Sequence, residues 1–350
     1  MPEYGLTFFV ALAVAFVITP GVISLAFRTG ALDTPEARKV HKQPVPRIGG
    51  LGIYLAFMAA MGAYLMTAEV PADVEQGLTG LLIGGSLIVV LGLIDDYFNL
   101  PAKVKLLGQI GCAGVAMVYG VRIDFINDPF GDVLYLYDYV AIPGTLFWIV
   151  GLTNTVNLID GLDGLAAGVS TIAAVTIFLV ALQQNFLLVA VVTAALAGAA
   201  FGFLYYNFNP ARIFMGDTGS MFLGFMLSGI SVIGAVKSAA TIALIVPILA
   251  LGLPILDTAF AIVRRKLAGV PIMKPDKGHL HHRLLSLGFT QRQAVLLMYT
   301  ISALLGTSAV AVTEVSPGFA LLILVGVVAS VLYGAKRLGI FHLNNTAHTH

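Results

Sequence analysis

Between residues 151 and 168 the chain reads GLTNTVNLIDGLDGLAAG, and four polar side chains, Asn154, Asn157, Asp160 and Asp163, recur there at every third position. Residues three apart are neighbours on a helix surface, so the spacing predicts a narrow strip of amides and carboxylates that drifts slowly round the axis. Gly161 and Gly164 interrupt the strip and loosen the helix, which lets backbone and carboxylates close round something small and charged. A hydrated helix end rarely needs two Asn and two Asp with no Lys or Arg among them. The strip therefore reads as a cation site, a site for a polyhydroxyl or a base, or both.

Four further stretches carry chemistry. In LGLIDDYFNLPAKVK, residues 91–105, Asp95 and Asp96 end an apolar run. Successive side chains on a helix point about 100° apart, so the two carboxylates are expected in different roles. One would face a cavity, where crowded carboxylates suit a base, and the other a lysine. In NFNPARIFMGDTGSM, residues 207–221, Asp217 sits between glycines where a helix begins. Amides at such a helix start favour phosphate, and Asp217 can hold the divalent cation that accompanies phosphates. Phe214 is placed to stack on a flat base. The loop 264–293 gathers His279, His281, His282 and Arg283 within five residues, with Asp276 the one acidic residue near them. Phosphate contacts explain the surrounding Lys and Arg better than a transition metal does. Finally RKVHKQPVPRIGGLG, residues 38–52, is a basic loop whose Lys42 or Arg47 can serve a substrate or anionic lipid headgroups.

The elements that must position these residues are membrane helices. The 350 residues are 58% hydrophobic and 11% charged, with mean hydropathy +0.94, which excludes a soluble enzyme and makes the chain all-α and polytopic. Apolar runs predict eleven helices, near 5–27, 49–67, 78–96, 102–120, 139–157, 162–182, 186–205, 218–236, 239–263, 294–312 and 317–335, with Pro247 and Pro254 kinking the ninth. The first run exceeds the apolar core of a signal peptide and lacks its basic leader, so it reads as a spanning helix. The single Cys112 falls in an apolar run and reads as a buried structural thiol. All basic residues but Arg122 and Lys237 lie in loops after odd-numbered helices. The positive-inside rule makes that side cytoplasmic, with the N-terminus outside, the C-terminus inside and the chemistry facing the cytoplasm. Residues 1–341 then form a single transmembrane catalytic domain, and 342–350, with His342, His348 and His350, a disordered tail.

Five motifs, HKQPVPRIGG, LIDDYFNLPAKVKLLGQ, TNTVNLIDGLDGLAAG, FMGDTGS and PDKGHLHHRLL, occur in an order and on a single membrane face that resemble the polyprenyl-phosphate N-acetylhexosamine-1-phosphate transferases. The likeness runs from about residue 28 to 293. The closing motif looks like the His-x-His-His-Arg form of the bacterial branch that uses UDP-N-acetylglucosamine. The triple His followed by an aromatic and Glu, which marks the translocase of phospho-MurNAc-pentapeptide, is absent.

The resemblance implies a bacterial plasma-membrane enzyme that moves N-acetylglucosamine 1-phosphate from UDP-N-acetylglucosamine to undecaprenyl phosphate and releases UMP, beginning a cell-envelope polysaccharide. It implies Mg2+, with Mn2+ as a substitute, on Asp217 and Asn157. Asp95, Asp96 and Asp217 would be the catalytic carboxylates, the first two near the lipid phosphate. Asp160 and Asp163 would bind uridine and its neighbourhood, with Asn154 on the same strip, and Phe214 would stack on uracil. Lys105, with Lys103 beside it, would receive the lipid phosphate. His279, His281, His282 and Arg283 would grip the diphosphate or sugar, and Lys42 and Arg47 would also face substrate. No nucleic-acid partner is implied; the sugar epimer, the prenyl length, the pathway and the oligomeric state, a homodimer included, stay open.

A cation-coupled secondary transporter is the competing class, since acidic residues and broken helices also mark ion pathways. Transport sites lie near the bilayer midplane, whereas these carboxylates lie at helix ends, with Asp257 alone inside an apolar run.

Overall fold

The computed structural model describes residues 2–34, 44–68, 70, 72–127, 133–237, 245–267, 269 and 278–337. Lys42 and the tail from 342 lie outside these residues.

Seven long apolar stretches open the chain as α1 (Glu3–Thr29), α2 (Gly50–Leu65), α3 (Ala72–Phe98), α4 (Ala102–Val118), α5 (Asp138–Ile159), α6 (Leu165–Gln183) and α7 (Leu187–Asn207). Then follow α8 (Gly216–Lys237), α9 (Ile245–Ala250), α10 (Gly252–Leu267), α11 (Leu280–Ser286), α12 (Gln291–Glu314) and α13 (Pro317–Arg337). At 1.5 Å per residue, α1 with its 27 residues extends about 40 Å, more than the ~30 Å of bilayer hydrocarbon. Eight of the described helices are long and apolar enough to cross a membrane, and α2 is apolar but shorter. Each of the eleven expected runs coincides with helix among the described residues. The fold is all-α and polytopic.

The ninth run is interrupted at Leu251, between α9 and α10, where Pro254 has no N–H to give Ala250 O; the Leu251 amide still donates to Pro247 O at 2.9 Å and the Ile255 amide to Leu251 O at 3.0 Å, so the interruption is local, as the prolines led one to expect. A further helix, α11, appears inside the His-rich loop.

The bundle centres on α7 and α8, whose most apolar windows are 78% and 89% buried, while that of α13 is 11% buried and faces outward. α7 packs against α1, α6 and α2, and α8 against α3, α5 and α2. At Gly50 the backbones of α2 and α8 come so close that a Cβ would sit 2.0 Å from the Gly219 amide nitrogen. Only glycine permits that approach, and it brings the start of α2 against the start of α8.

Two short antiparallel hairpins complete the structure. β1 (Leu32–Asp33) pairs with β2 (Val45–Pro46), Leu32 opposite Pro46, at the end where α2 begins. β3 (Phe125–Asn127) pairs with β4 (Val133–Tyr135) at the opposite end, between α4 and α5. Arg122, one of the two basic residues on that far side, is matched there by Asp124 and Asp138.

Candidate active site

The segments after α1, α3, α5 and α7 meet at one end of the bundle, and the site is built from them. α8 opens at Gly216, whose φ of 68° turns the chain into the helix. The first amides of a helix have no partner within it. Asp96 supplies one from α3: its Oδ1 accepts from the Asp217 amide at 2.9 Å, and its Oδ2 from the Thr218 amide at 3.0 Å and the Thr218 hydroxyl at 2.6 Å. A carboxylate there also faces the positive end of the helix dipole. The expected phosphate on these two amides is therefore displaced, because a neighbouring helix already offers them an anion. Backbone bonds hold the approach to α8 against the start of α2: the Phe214 amide donates to Pro46 O at 2.7 Å, and the Gly49 and Gly50 amides donate to Phe214 O and Met215 O at 3.0 and 2.8 Å.

Asp95 points elsewhere because α3 stays helical through Phe98 and successive residues diverge. Its Oδ2 lies 2.8 Å from Lys105 Nζ, and its Oδ1 accepts from the Leu100 amide at 2.6 Å. Lys105 Nζ also donates to Asp217 Oδ2 at 2.8 Å and reaches Asn157 Oδ1 at 3.5 Å. Asn157 Nδ2 in turn donates to Asp217 Oδ1 and, at 2.7 Å, to Ser220 Oγ. One ammonium thus sits among oxygens from α3, α5 and α8. Asp95 and Asp96 are 4% and 5% exposed, and both carboxylates are hydrogen-bonded. Arg47 backs the pair, with Nη2 donating to Asp95 O at 3.3 Å and Asn99 Oδ1 at 3.0 Å, and Nε 3.8 Å from Asp96 Oδ1.

The polar strip is not continuous. α5 ends at Ile159, and residues 160–164 turn before α6, where Gly164 takes a φ of 81°. Asn154 is drawn to the neighbouring α4, its Nδ2 donating to Gln109 Oε1 at 2.6 Å and its Oδ1 accepting from Gln109 Nε2 at 3.3 Å. Asp163 braces the next loop, with Oδ2 accepting from Asn209 Nδ2 at 2.9 Å and from the Ala211 amide at 3.0 Å. Asp160, half-buried in the turn, makes no side-chain hydrogen bond among the described residues. Burial pushes its carboxyl up to about 8, reinforced by the negative charges of Asp217, Asp96 and Asp163.

The His-rich loop closes on this turn. A Cβ on Gly161 would lie 2.6 Å from His281 Nε2, so only glycine lets the imidazole in. His281 is 2% exposed, and among the described residues its Nδ1 has no hydrogen-bond partner. Burial lowers it to about 4, helped by His282 and His279 and opposed by Asp257, so at neutral pH it is a neutral imidazole rather than a cation. His279 stacks on His281, with 5.7 Å between ring centroids and 6° between planes, and His281 touches His282 at 4.2 Å. Phe214 is half-buried beside the start of α8. Lys103 is exposed and has no side-chain partner among the described residues, so it stands apart from the cluster. No group of three His, Cys, Asp or Glu among the described residues is arranged to hold a metal.

The family model for Glycosyl transferase family 4 matches residues 78–235, which contain the aspartate, asparagine and lysine just described. A probable undecaprenyl-phosphate N-acetylglucosaminyl 1-phosphate transferase of Bacillus subtilis is 44% identical to this chain over 87% of it and 83% of the relative. The chain belongs to the polyprenyl-phosphate N-acetylhexosamine-1-phosphate transferases. A decaprenyl-phosphate N-acetylglucosaminephosphotransferase of Mycolicibacterium smegmatis is 39% identical, covering 90% of this chain and 84% of its own. A phospho-N-acetylmuramoyl-pentapeptide-transferase of Desulforudis audaxviator is 31% identical, covering 86% and 94%.

Sequence reasoning passed over four residues that the transferase uses to build its site. Gln109 lies one helical turn after Lys105 on α4, a spacing that signals a shared face. Ser220 and Thr218 follow Asp217 within a turn and hold Asn157 and Asp96. Asp257, the acidic residue inside an apolar run, binds His279, and that position was itself the signal.

Proposed function

We propose that this transferase moves N-acetylglucosamine 1-phosphate from UDP-N-acetylglucosamine to undecaprenyl phosphate at the cytoplasmic membrane surface, releasing UMP. The observation that carries the reading is the oxygen-lined cation cluster of Asp95, Lys105, Asn157 and Asp217 at the ends of membrane helices. A lipid phosphate whose tail stays in hydrocarbon meets a water-soluble nucleotide sugar at such a boundary. Both the Bacillus and the Mycolicibacterium relatives are named for N-acetylglucosamine phosphate, and the Bacillus relative for undecaprenyl phosphate where the Mycolicibacterium one names decaprenyl phosphate, which supports the choice of sugar and of a polyprenyl carrier.

Mg2+ fits the donor set. Carboxylate and amide oxygens of Asp217 and Asn157 already surround one cation, the Lys105 ammonium, and oxygen donors are what a hard divalent ion takes. When bound, it supplies charge neutralisation and polarisation at the phosphoryl oxygens. Lys105 is placed to pair with phosphate in the same way, and Asp95 holds its ammonium in position.

In the reaction, a phosphate oxygen of the acceptor forms a bond to the sugar-bearing phosphorus. The bond from that phosphorus to the oxygen bridging to UMP breaks, and UMP leaves with the electron pair. A phosphate monoester with a second pKa of about 6 is mostly dianionic at neutral pH, so the nucleophile needs no strong base, in keeping with the engaged Asp95 and Asp96. Asp96 acts by anchoring the start of α8 and hence Asp217. Asp160 offers its unpartnered carboxyl to the nucleotide, and Phe214 offers its ring to uracil. His279, His281, His282 and Arg283 approach the sugar diphosphate from the other side.

Purified protein in detergent, given radiolabelled UDP-N-acetylglucosamine and undecaprenyl phosphate, is expected to release UMP only when both are present. Asp217→Asn should reduce turnover by at least about a hundredfold, or roughly 2.7 kcal/mol of barrier. Turnover of UDP-MurNAc-pentapeptide, or wild-type rates in Asp217→Asn, would contradict the reading.

A further inference from the structure

Asp257 has no part in the reaction outlined above. It lies on α10, 6% exposed, at the wall of a 560 Å³ cavity between α10, α12 and α13 that is lined nearby by Leu253, Phe260 and Ile301. A carboxyl group in such apolar surroundings persists where donors match it. Two do, and both come from the His-rich motif. His279 Nδ1 lies 2.9 Å from Asp257 Oδ2, and the Leu280 amide donates to Oδ1 at 2.7 Å. That amide is the first of α11, which has no side-chain cap of its own, so Asp257 closes the start of α11 from a different helix. From there His279 stacks on His281, and His281 lies against Gly161 in the polar turn.

A carboxylate accepts and does not donate, so the hydrogen between Asp257 and His279 belongs to Nδ1. We propose that Asp257 is a positioning residue of this transferase: it holds the Nδ1 hydrogen of His279, leaving Nε2 as the nitrogen available to the sugar diphosphate. What Nε2 meets rests on the proposed reaction, whereas the placement of the hydrogen does not.

Asparagine at this position separates orientation from anchoring. Its carbonyl keeps the Leu280 amide, while its NH2 faces Nδ1 and demands an acceptor there, which moves the ring hydrogen to Nε2. The shape is unchanged and the presentation of His279 is reversed.

The test uses the full chain in detergent. Asp257→Asn is expected to keep the thermal midpoint within a few degrees of wild type and to lower kcat/KM for UMP release by about 10- to 100-fold. Because Asp257 acts through His279, the same substitution should add less than about twofold to the loss already caused by His279→Gln. In histidine-labelled protein, 15N spectra should place a hydrogen on Nδ1 of His279, assigned by its disappearance in His279→Gln, and Asp257→Asn should shift that hydrogen to Nε2. A neutral His279 protonated only on Nε2 in the wild type, wild-type kinetics in a folded Asp257→Asn, or fully additive losses in the double variant would each overturn the proposal. Should Asp257→Asn fail to fold, the wild-type spectrum alone decides. Absence of UMP release by the wild type would refute the proposed reaction instead, and the spectrum would still report on Asp257.

Discussion

His281 illustrates what a single side chain tells once its surroundings are known. It has the residue type of a phosphate-binding cation, yet burial beside two other imidazoles holds it at about 4. Unfolded, a histidine titrates near 6.5. Between these values the unfolded chain binds more protons than the folded one, so the contribution of His281 to stability is intact above about pH 6.5. It is lost as the pH falls through 4. The loss is bounded by about 3 kcal/mol, the equivalent of the whole shift. Thermal midpoints of the purified protein measured from pH 7 to 4 are therefore expected to fall less steeply in His281→Gln than in wild type. Equal slopes would mean that the imidazole is not shielded as the geometry indicates. Residue types and spacings named most of the cluster in advance: Asp95 and Asp96 were legible as a pair with divided roles, Asp217 and Asn157 as candidates to hold a cation, and Lys105, through family likeness, as a lysine for the lipid phosphate. What Asp96 binds was not legible, because capping a helix 121 positions later depends on how α3 and α8 pack.

At the scale of elements, apolar runs located the helices well because twenty residues of hydrocarbon leave few alternatives. They were less informative where polar and glycine residues compete with helix. The three-residue recurrence of Asn154, Asn157, Asp160 and Asp163 matches a helix, but the chain leaves helix after Ile159, and the last two side chains acquire separate surroundings. α11 was missed because seven residues held by Asp257 carry too little periodicity to read. Close packing of α2 on α8 is a tertiary fact with a direct test. Gly50→Ala places a methyl against the backbone at Gly219, which cannot swing aside as a side chain would. Overpacking of this kind costs typically about 1–3 kcal/mol, and here it also pushes apart the segments that carry Arg47 and Asp217. Gly62→Ala, on the same helix with nothing within 4 Å, is expected to be neutral or slightly stabilising. If detergent-solubilised Gly50→Ala unfolds at the same temperature as Gly62→Ala, the contact between α2 and α8 is looser than described.

The whole molecule has two chemically different ends, and this difference bears on how it sits in a membrane. The end built from α3, α5, α7 and α8 collects the acidic site together with basic residues such as Arg47, Lys105, Arg212 and Arg292, while the far end holds the β3–β4 hairpin and Arg122, neutralised by Asp124 and Asp138. Lys and Arg are retained on the cytoplasmic side during insertion, so the acidic site is expected to face the cytoplasm even though acidic residues do not themselves set orientation. The native thiol simplifies the measurement: Cys112 is 7% exposed, and burial in α4 keeps it out of reach of a polar reagent. In a Cys112→Ala background, Lys103→Cys reports on the site end, where the lysine is exposed, and Tyr137→Cys reports on the far end, where the ring is 73% exposed. A membrane-impermeant maleimide is expected to label Tyr137→Cys in intact cells and Lys103→Cys only in inverted vesicles. Both variants should retain UMP release, since neither side chain joins the cluster around Lys105. Labelling of Lys103→Cys from outside the cell would turn the molecule over. The nucleotide sugar made in the cytoplasm would then have no access to Asp217, and the proposed reaction would lose its donor even with the geometry of the site unchanged.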